Sequence, residues 1–149
     1  MFVSFESYEE KDKKDFLETF VEDIELSLLK IYGTADIKIK IPKDISKIRK
    51  MIREIYLESK KEIVLMIDEF EKLDEKLMNQ FLYVIRSIYH DKEIYGLRSV
   101  ILISVSYLSG VLEDNASPFN IAEHMEVPYF TKEQVYDLLP QYEKETGQI

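Results

Sequence analysis

The stretch with the most chemical content is Ile63-Val64-Leu65-Met66-Ile67-Asp68-Glu69-Phe70-Glu71, an apolar run closed by two adjacent acids. A continuous run rich in β-branched residues suits a strand buried on both faces of a parallel sheet. The C-terminal edge of such a sheet is where open α/β folds keep their ligand crevice. Paired carboxylates there suit phosphoryl transfer: one acid holds hydrated Mg²⁺ beside the phosphates of a nucleotide, and the next orients or deprotonates the attacking water. On this reading Asp68 is the metal acid and Glu69 the water-activating one. Two acids can equally end a strand and serve the helix that follows, and these residues alone leave both readings open.

Other chemistry is excluded or thinly supported. Cysteine is absent, which removes disulfides, thiolate metal sites and Cys nucleophiles together. His90 and His124, the only histidines, are far apart and lack a carboxylate pair at ligand spacing, so no metal site is expected on them. Ten tyrosines, among them Tyr83, Tyr89, Tyr95 and Tyr107, fit core and rim packing better than an aromatic binding face. Lys11, Lys13 and Lys14 are interleaved with Asp12 and Asp15, as the bases of Lys43 to Arg53 are with acids, so both runs read as solvated faces. Acids outnumber bases 29 to 20, for a net charge of −9. A surface of that sign repels nucleic-acid backbones and anionic lipid, so neither is an expected partner of this chain alone. The opening Met1 to Glu6 has no basic n-region, and no apolar run approaches the roughly 18 residues that span a bilayer. The expectation is a soluble, cytoplasmic protein.

The elements that must position the acids follow from periodicity. With 149 residues the chain suits one domain, spanning 1–149 and burying about 70% of its unfolded surface. Four short apolar runs read as strands: Phe2 to Phe5, Ile63 to Ile67, Val100 to Val105 and the brief Met125 to Val127. Between the first two, Phe16, Leu17, Phe20, Val21, Ile24, Leu28 and Ile31 recur at helical spacing, and Gly33 follows at a left-handed cap position. Ile37, Ile39 and Ile41 alternate with polar residues up to Pro42, which suits an extended segment or a short edge strand. Asp44 can cap a second helix with the stripe Ile45, Ile48, Ile52 and Ile55. Asp74 can cap a third with Leu77, Phe81, Val84, Ile85 and Ile88 inward, and Gly96 marks the loop to the third strand. Thr131 and Gln134 form a capping box with Phe130 placed to staple on Val135, and Pro140 must kink or restart that last helix. Strands alternating with helices predict an α/β three-layer sandwich around a mainly parallel sheet, with right-handed crossovers.

From residue 60 onward the chain resembles the AAA-like ATPases of the AAA+ and signal-transducing (STAND) P-loop NTPase group. The resemblance rests on the Walker B-like "IVLMIDEFEKL" (63–73), the strand "RSVILISVSYLSGV" (98–111), "SPFNIAEHMEVPYFTKEQVYDLL" (117–139) and "ETGQ" (145–148). It implies ATP and Mg²⁺ as cofactors, with Asp68 on the metal and Glu69 as catalytic residue. It places Ser104 or Ser106 where relatives carry a polar residue that senses the γ-phosphate, and Asn120 beside the nucleotide. The two serines also suit a strand end by satisfying backbone groups, and Ser117-Pro118 suits a plain helix start.

One part of the pattern is missing. Relatives open with a strand and a Gly-rich loop ending in Gly-Lys-Ser/Thr, since backbone amides at a helix N-terminus plus a Lys cradle the triphosphate. None of Gly33, Gly96, Gly110 and Gly147 is followed by Lys-Ser or Lys-Thr. The chain therefore reads as beginning after the phosphate loop, at the family's second strand, as a fragment or a degenerate relative. The fold the resemblance implies has strand order 5-1-4-3-2, so the missing first strand would flank Val100 to Val105 and leave an apolar edge open. Two functions follow as expectations. In one the chain is part of an ATPase module, inactive alone, whose phosphate loop comes from an N-terminal piece outside it. In the other it is a non-catalytic interaction module that keeps the fold and self-associates through the open edge.

Overall fold

The computed structural model describes residues 1–33, 37–105 and 123–147. Among them three strands, β1 (Phe2–Ser4), β2 (Ile63–Asp68) and β3 (Leu97–Leu102), form one parallel sheet in the order β1-β2-β3. Phe2, Val3 and Ser4 stand beside Met66, Ile67 and Asp68, and Leu65, Met66 and Ile67 beside Val100, Ile101 and Leu102. This is the adjacency of strands 2, 3 and 4 in the order that the resemblance implies.

The helices that join them are α1 (Lys13–Tyr32), α2 (Ile48–Ser59) behind a 3₁₀ turn at Ile45–Lys47, α3 (Glu75–His90) and the single turn α4 (Lys92–Tyr95). Their apolar stripes are those read from the sequence. Phe16, Leu17, Phe20, Val21, Ile24 and Leu28 of α1 are buried, as are Ile45, Ile48, Ile52 and Ile55, and Leu77, Phe81, Val84 and Ile88 of α3. Ile31 is the exception, exposed in the last turn of α1. Both crossovers step the same way across the sheet, so right-handed connections put α1, α2 and α3 on one face. Ring contacts agree: Phe16 and Phe20 of α1 meet Phe81 of α3 at centroid distances of 6.2 and 5.7 Å.

Strand alternation then divides the sheet. Val3, Ile63, Leu65, Ile67 and Leu97 face the helices and are buried. Phe2, Val64 and Ile101 lie on the other face and are 50%, 39% and 42% exposed. Among the described residues no helix covers that second face, and β3 has β2 as its one neighbour.

Two strand expectations are corrected. The third strand runs Leu97–Leu102 rather than Val100 to Val105, because its ladder is set by the length of β2 and not by its own apolar run. Backbone pairing reaches one residue further, with the Ile103 N–H on the Ile67 carbonyl at 2.8 Å. Met125 to Val127 is not a strand: it lies in an irregular exposed segment, with no neighbouring strand among the described residues and Pro128 directly after it. Ile37 to Ile41 belongs to no helix and no sheet; Ile37 and Ile39 pack against the core, and the Ile39 N–H donates to Glu25 Oε1 at 3.1 Å. The final helix, α5 (Lys132–Thr146), runs through Pro140 as a continuation, behind a capping box closed by Gln134 N–H to Thr131 Oγ1 at 3.2 Å and Thr131 N–H to Gln134 Oε1 at 2.9 Å. Phe130 stays largely exposed, so the expected staple on Val135 buries little.

The helix starts carry a pH dependence. Asp12 caps α1, accepting from Lys14 N–H at 2.8 Å and Asp15 N–H at 2.9 Å, and Asp44 accepts from Lys13 Nζ at 2.9 Å and from Ser46 N–H at 3.1 Å. The Asp15 amide holds the Asp12 carboxyl below its ordinary value, and the Lys13 ammonium does the same for Asp44. A depressed folded value means stabilisation that is present above the unfolded value, about pH 4, and is lost as pH falls through the folded one. Urea midpoints followed downward from about pH 5 should therefore fall less steeply for Asp12→Asn, which keeps a capping oxygen without the charge, than for the wild type. Parallel profiles for the two proteins would remove Asp12 from the account.

Candidate functional site

The acids stand where the central strand ends. Asp68 is the last residue of β2, and by alternation its side chain lies on the face of Val64 and Met66, opposite the helices that bury Ile67. Its backbone carbonyl accepts from Phe5 N–H at 2.8 Å, and its Oδ1 from Glu69 N–H at 3.0 Å. Ser4 is its register partner on β1.

Glu69 reverses the chain. It takes a left-handed conformation, φ 55° and ψ 38°, that residues with a side chain seldom adopt. A 3₁₀ turn at Phe70–Lys72 follows, with the Lys72 N–H on the Glu69 carbonyl at 3.0 Å. The reversal puts Phe70 into the core, fully buried, with its ring 6.0 Å from Phe5 and 6.2 Å from Phe81. Both acids are left half-buried at the sheet's C-terminal edge. Strain of this kind is held by its surroundings; here they are a buried aromatic on one side and a backbone bond on the other, the Phe70 N–H donating to the Ile103 carbonyl at 3.1 Å.

The same bond brings the end of β3 to the acid turn. Ser104 follows Ile103 directly and is half-buried there, its backbone at the acid turn; by alternation its side chain shares the helix-facing side of Val100 and Leu102, opposite that of Asp68. Ser106 and Asn120 lie outside the described residues. His90 and His124 are exposed. Among the described residues no group of three or more His, Asp or Glu side chains is placed to hold a metal. A lone carboxylate is the donor set that Mg²⁺ accepts, since that ion keeps several waters and relies on substrate phosphates for the rest.

The sequence reading missed Glu71. Its Oε1 accepts from Val105 N–H at 3.3 Å, and its Oε2 is buried without a hydrogen-bond partner among the described residues. Nothing local signals this, because the partner is 34 residues away.

A parallel sheet flanked by helices, with an acid pair closing its central strand, is an α/β fold of the P-loop NTPase-like kind. The AAA-like domain family model matches residues 11–148, and the chain belongs to that family. No curated protein and no solved structure matches the chain. Among the described residues no helix is long and apolar enough to cross a membrane.

Proposed function

We propose that this chain is the Walker B part of an AAA-like ATPase core, with Asp68 holding Mg²⁺ and Glu69 handling water, and that the phosphate cradle is contributed by residues outside it. The observation that carries the reading is the placement of Asp68: the end of the central strand, on the sheet face that no described helix covers. Bound Mg²⁺ would neutralise the charge of the β- and γ-phosphates. Asp68 is suited to hold it through one carboxylate, and Glu69, next along the turn, to orient a water and take its proton. Ser104 and Ser106, with Asn120, are the polar groups assigned to the nucleotide. The cysteine-free composition suits a reducing cytosol.

The open edge of β3 supports the partner half of the proposal. In a parallel strand the backbone groups of alternate residues point to opposite sides. Ile103 bonds to β2, so those of Val100 and Leu102 point to the free side, where a further strand can pair. A strand carrying a phosphate loop at its C-terminal end would set that loop beside Asp68. The second reading, a non-catalytic module that associates with its own copies, draws on the same edge and on the exposed Ile101 and Ile103.

The chain by itself should show no ATP turnover, and calorimetry with Mg-ATP should show binding weaker than about 10 μM, near −7 kcal/mol. Tighter binding, or turnover abolished by Glu69→Gln, would place the cradle inside the chain and overturn the proposal. Light scattering tests the second reading: a monomer mass at high concentration, without binding of an apolar dye, counts against it.

A further inference from the structure

We propose that Glu71 is a positioning residue that fixes the end of β3, the backbone on either side of Ser104, against the acid turn. The inference rests on the assignment of Asp68 to the metal, and extends it to a residue that no motif marks. Two tethers run from the 3₁₀ turn to the same short segment: the Phe70 N–H to the Ile103 carbonyl at 3.1 Å, and the Val105 N–H to Glu71 Oε1 at 3.3 Å. Ser104 is held between them. The first tether continues the β2–β3 ladder, but the second leaves the sheet altogether, since β3 ends at Leu102. Among the described residues, the Glu71 carboxylate is what ties Val105 to the turn.

A bond from a backbone N–H to a carboxylate is charge-assisted and stronger than one to a neutral acceptor. Its partner oxygen, Oε2, is buried and has no partner among the described residues, a position that costs free energy in any fold. Packing alone would be served as well by an apolar side chain of the same length. The carboxylate is therefore accounted for by what it holds, the backbone just beyond Ser104.

The test is amide NMR on the full chain with Mn²⁺ alone as a paramagnetic probe. In the wild type, Mn²⁺ should broaden the amides of Asp68 and Glu69 together with those of Ser104 and Val105. In Glu71→Ala the first pair should still broaden, the second should lose the effect, and the Val105 amide should exchange about tenfold faster. Glu71→Gln, which retains an acceptor oxygen, should restore both signals. Glu71→Met fills the space without the acceptor and should behave as the alanine variant does, which keeps the test available if that variant does not fold. Unchanged Val105 exchange in both Ala and Met variants would overturn the role of Glu71. Absence of broadening at Asp68 in the wild type would instead overturn the metal assignment, and Val105 exchange would still decide for or against the tether.

Discussion

Phe81→Ala is expected to cost about 3–5 kcal/mol, the range for emptying a buried aromatic site. That is a large share of the roughly 5–15 kcal/mol available to a domain of this kind. The ring is fully buried and stands within 6.2 Å of Phe5, Phe16 and Phe70, and 5.7 Å from Phe20, counting between centroids. It therefore joins α1, α3, the end of β1 and the acid turn in one cluster, and the cavity left by alanine has walls on four elements that cannot all close on it. Phe70 is the residue after Glu69, so the same substitution loosens the floor under the left-handed turn. Denaturant unfolding measures the loss, with Tyr83→Ala, a half-exposed position on the same helix, as a control expected within about 0.5 kcal/mol of wild type. A loss below about 1 kcal/mol for Phe81→Ala would mean that the cluster is not the core of the fold.

That cluster also separates what a sequence can say from what it cannot. Phe16, Phe20 and Phe81 were legible because each sits in a helical stripe, where periodicity alone assigns an inward face. Phe5, Tyr8 and Phe70 lie outside any helix, past the ends of β1 and β2, and their burial depends on partners remote in sequence. Tyr8 is fully buried, its hydroxyl donating to Asp23 Oδ2 at 2.6 Å, with burial and then that carboxylate pushing the phenol well above its ordinary value. Caps were read correctly at Gly33, at the end of α1, and at Asp74 and Thr131, since capping is settled within four residues; Asp44 caps the 3₁₀ turn at Ile45–Lys47 rather than α2, which starts behind Lys47 without a side-chain cap.

Strand limits fared worse for the converse reason. The apolar run of residues 100–105 looks like the strand, yet Leu97 and Ser99 belong to it because β2 pairs them with Ile63 and Val64, and Arg98 between them is passed over at a register irregularity. At the site, Asp68 and Glu69 were legible as a local pattern, an apolar run and then two acids. The left-handed backbone of Glu69 was not, since no glycine or asparagine announces it. Nor was the reach of Glu71 to Val105, which exists because β3 comes to lie beside β2.

Gly96→Ala is the second substitution with a large expected effect, about 2–5 kcal/mol from two sources that add. Gly96 has φ 65°, and a side chain in left-handed backbone costs about 1–2 kcal/mol. A Cβ there would also lie 2.1, 2.2 and 2.7 Å from Cγ, Cδ2 and Cδ1 of Tyr56, the base of the ring and not a flexible tip. Overpacking of this kind adds about 1–3 kcal/mol. The backbone cannot slide away to relieve it, because the Gly96 carbonyl accepts the Ile63 N–H at 2.7 Å and so pins the start of β3 to the start of β2. Gly33 supplies the contrast: its φ is 70° but no described residue lies within 4 Å of an added Cβ, so Gly33→Ala should cost only the backbone share, about 1–2 kcal/mol. Removing the obstacle isolates the second source, and the loss in Gly96→Ala/Tyr56→Ala should fall short of the summed single losses by at least about 1 kcal/mol. Equal losses at Gly33 and Gly96, or additive behaviour in the double variant, would show that Tyr56 does not bear on the β2–β3 junction. The junction matters at the far end of the same strands, since the alignment fixed at Ile63 and Gly96 carries through six residues to set Asp68 against the end of β3.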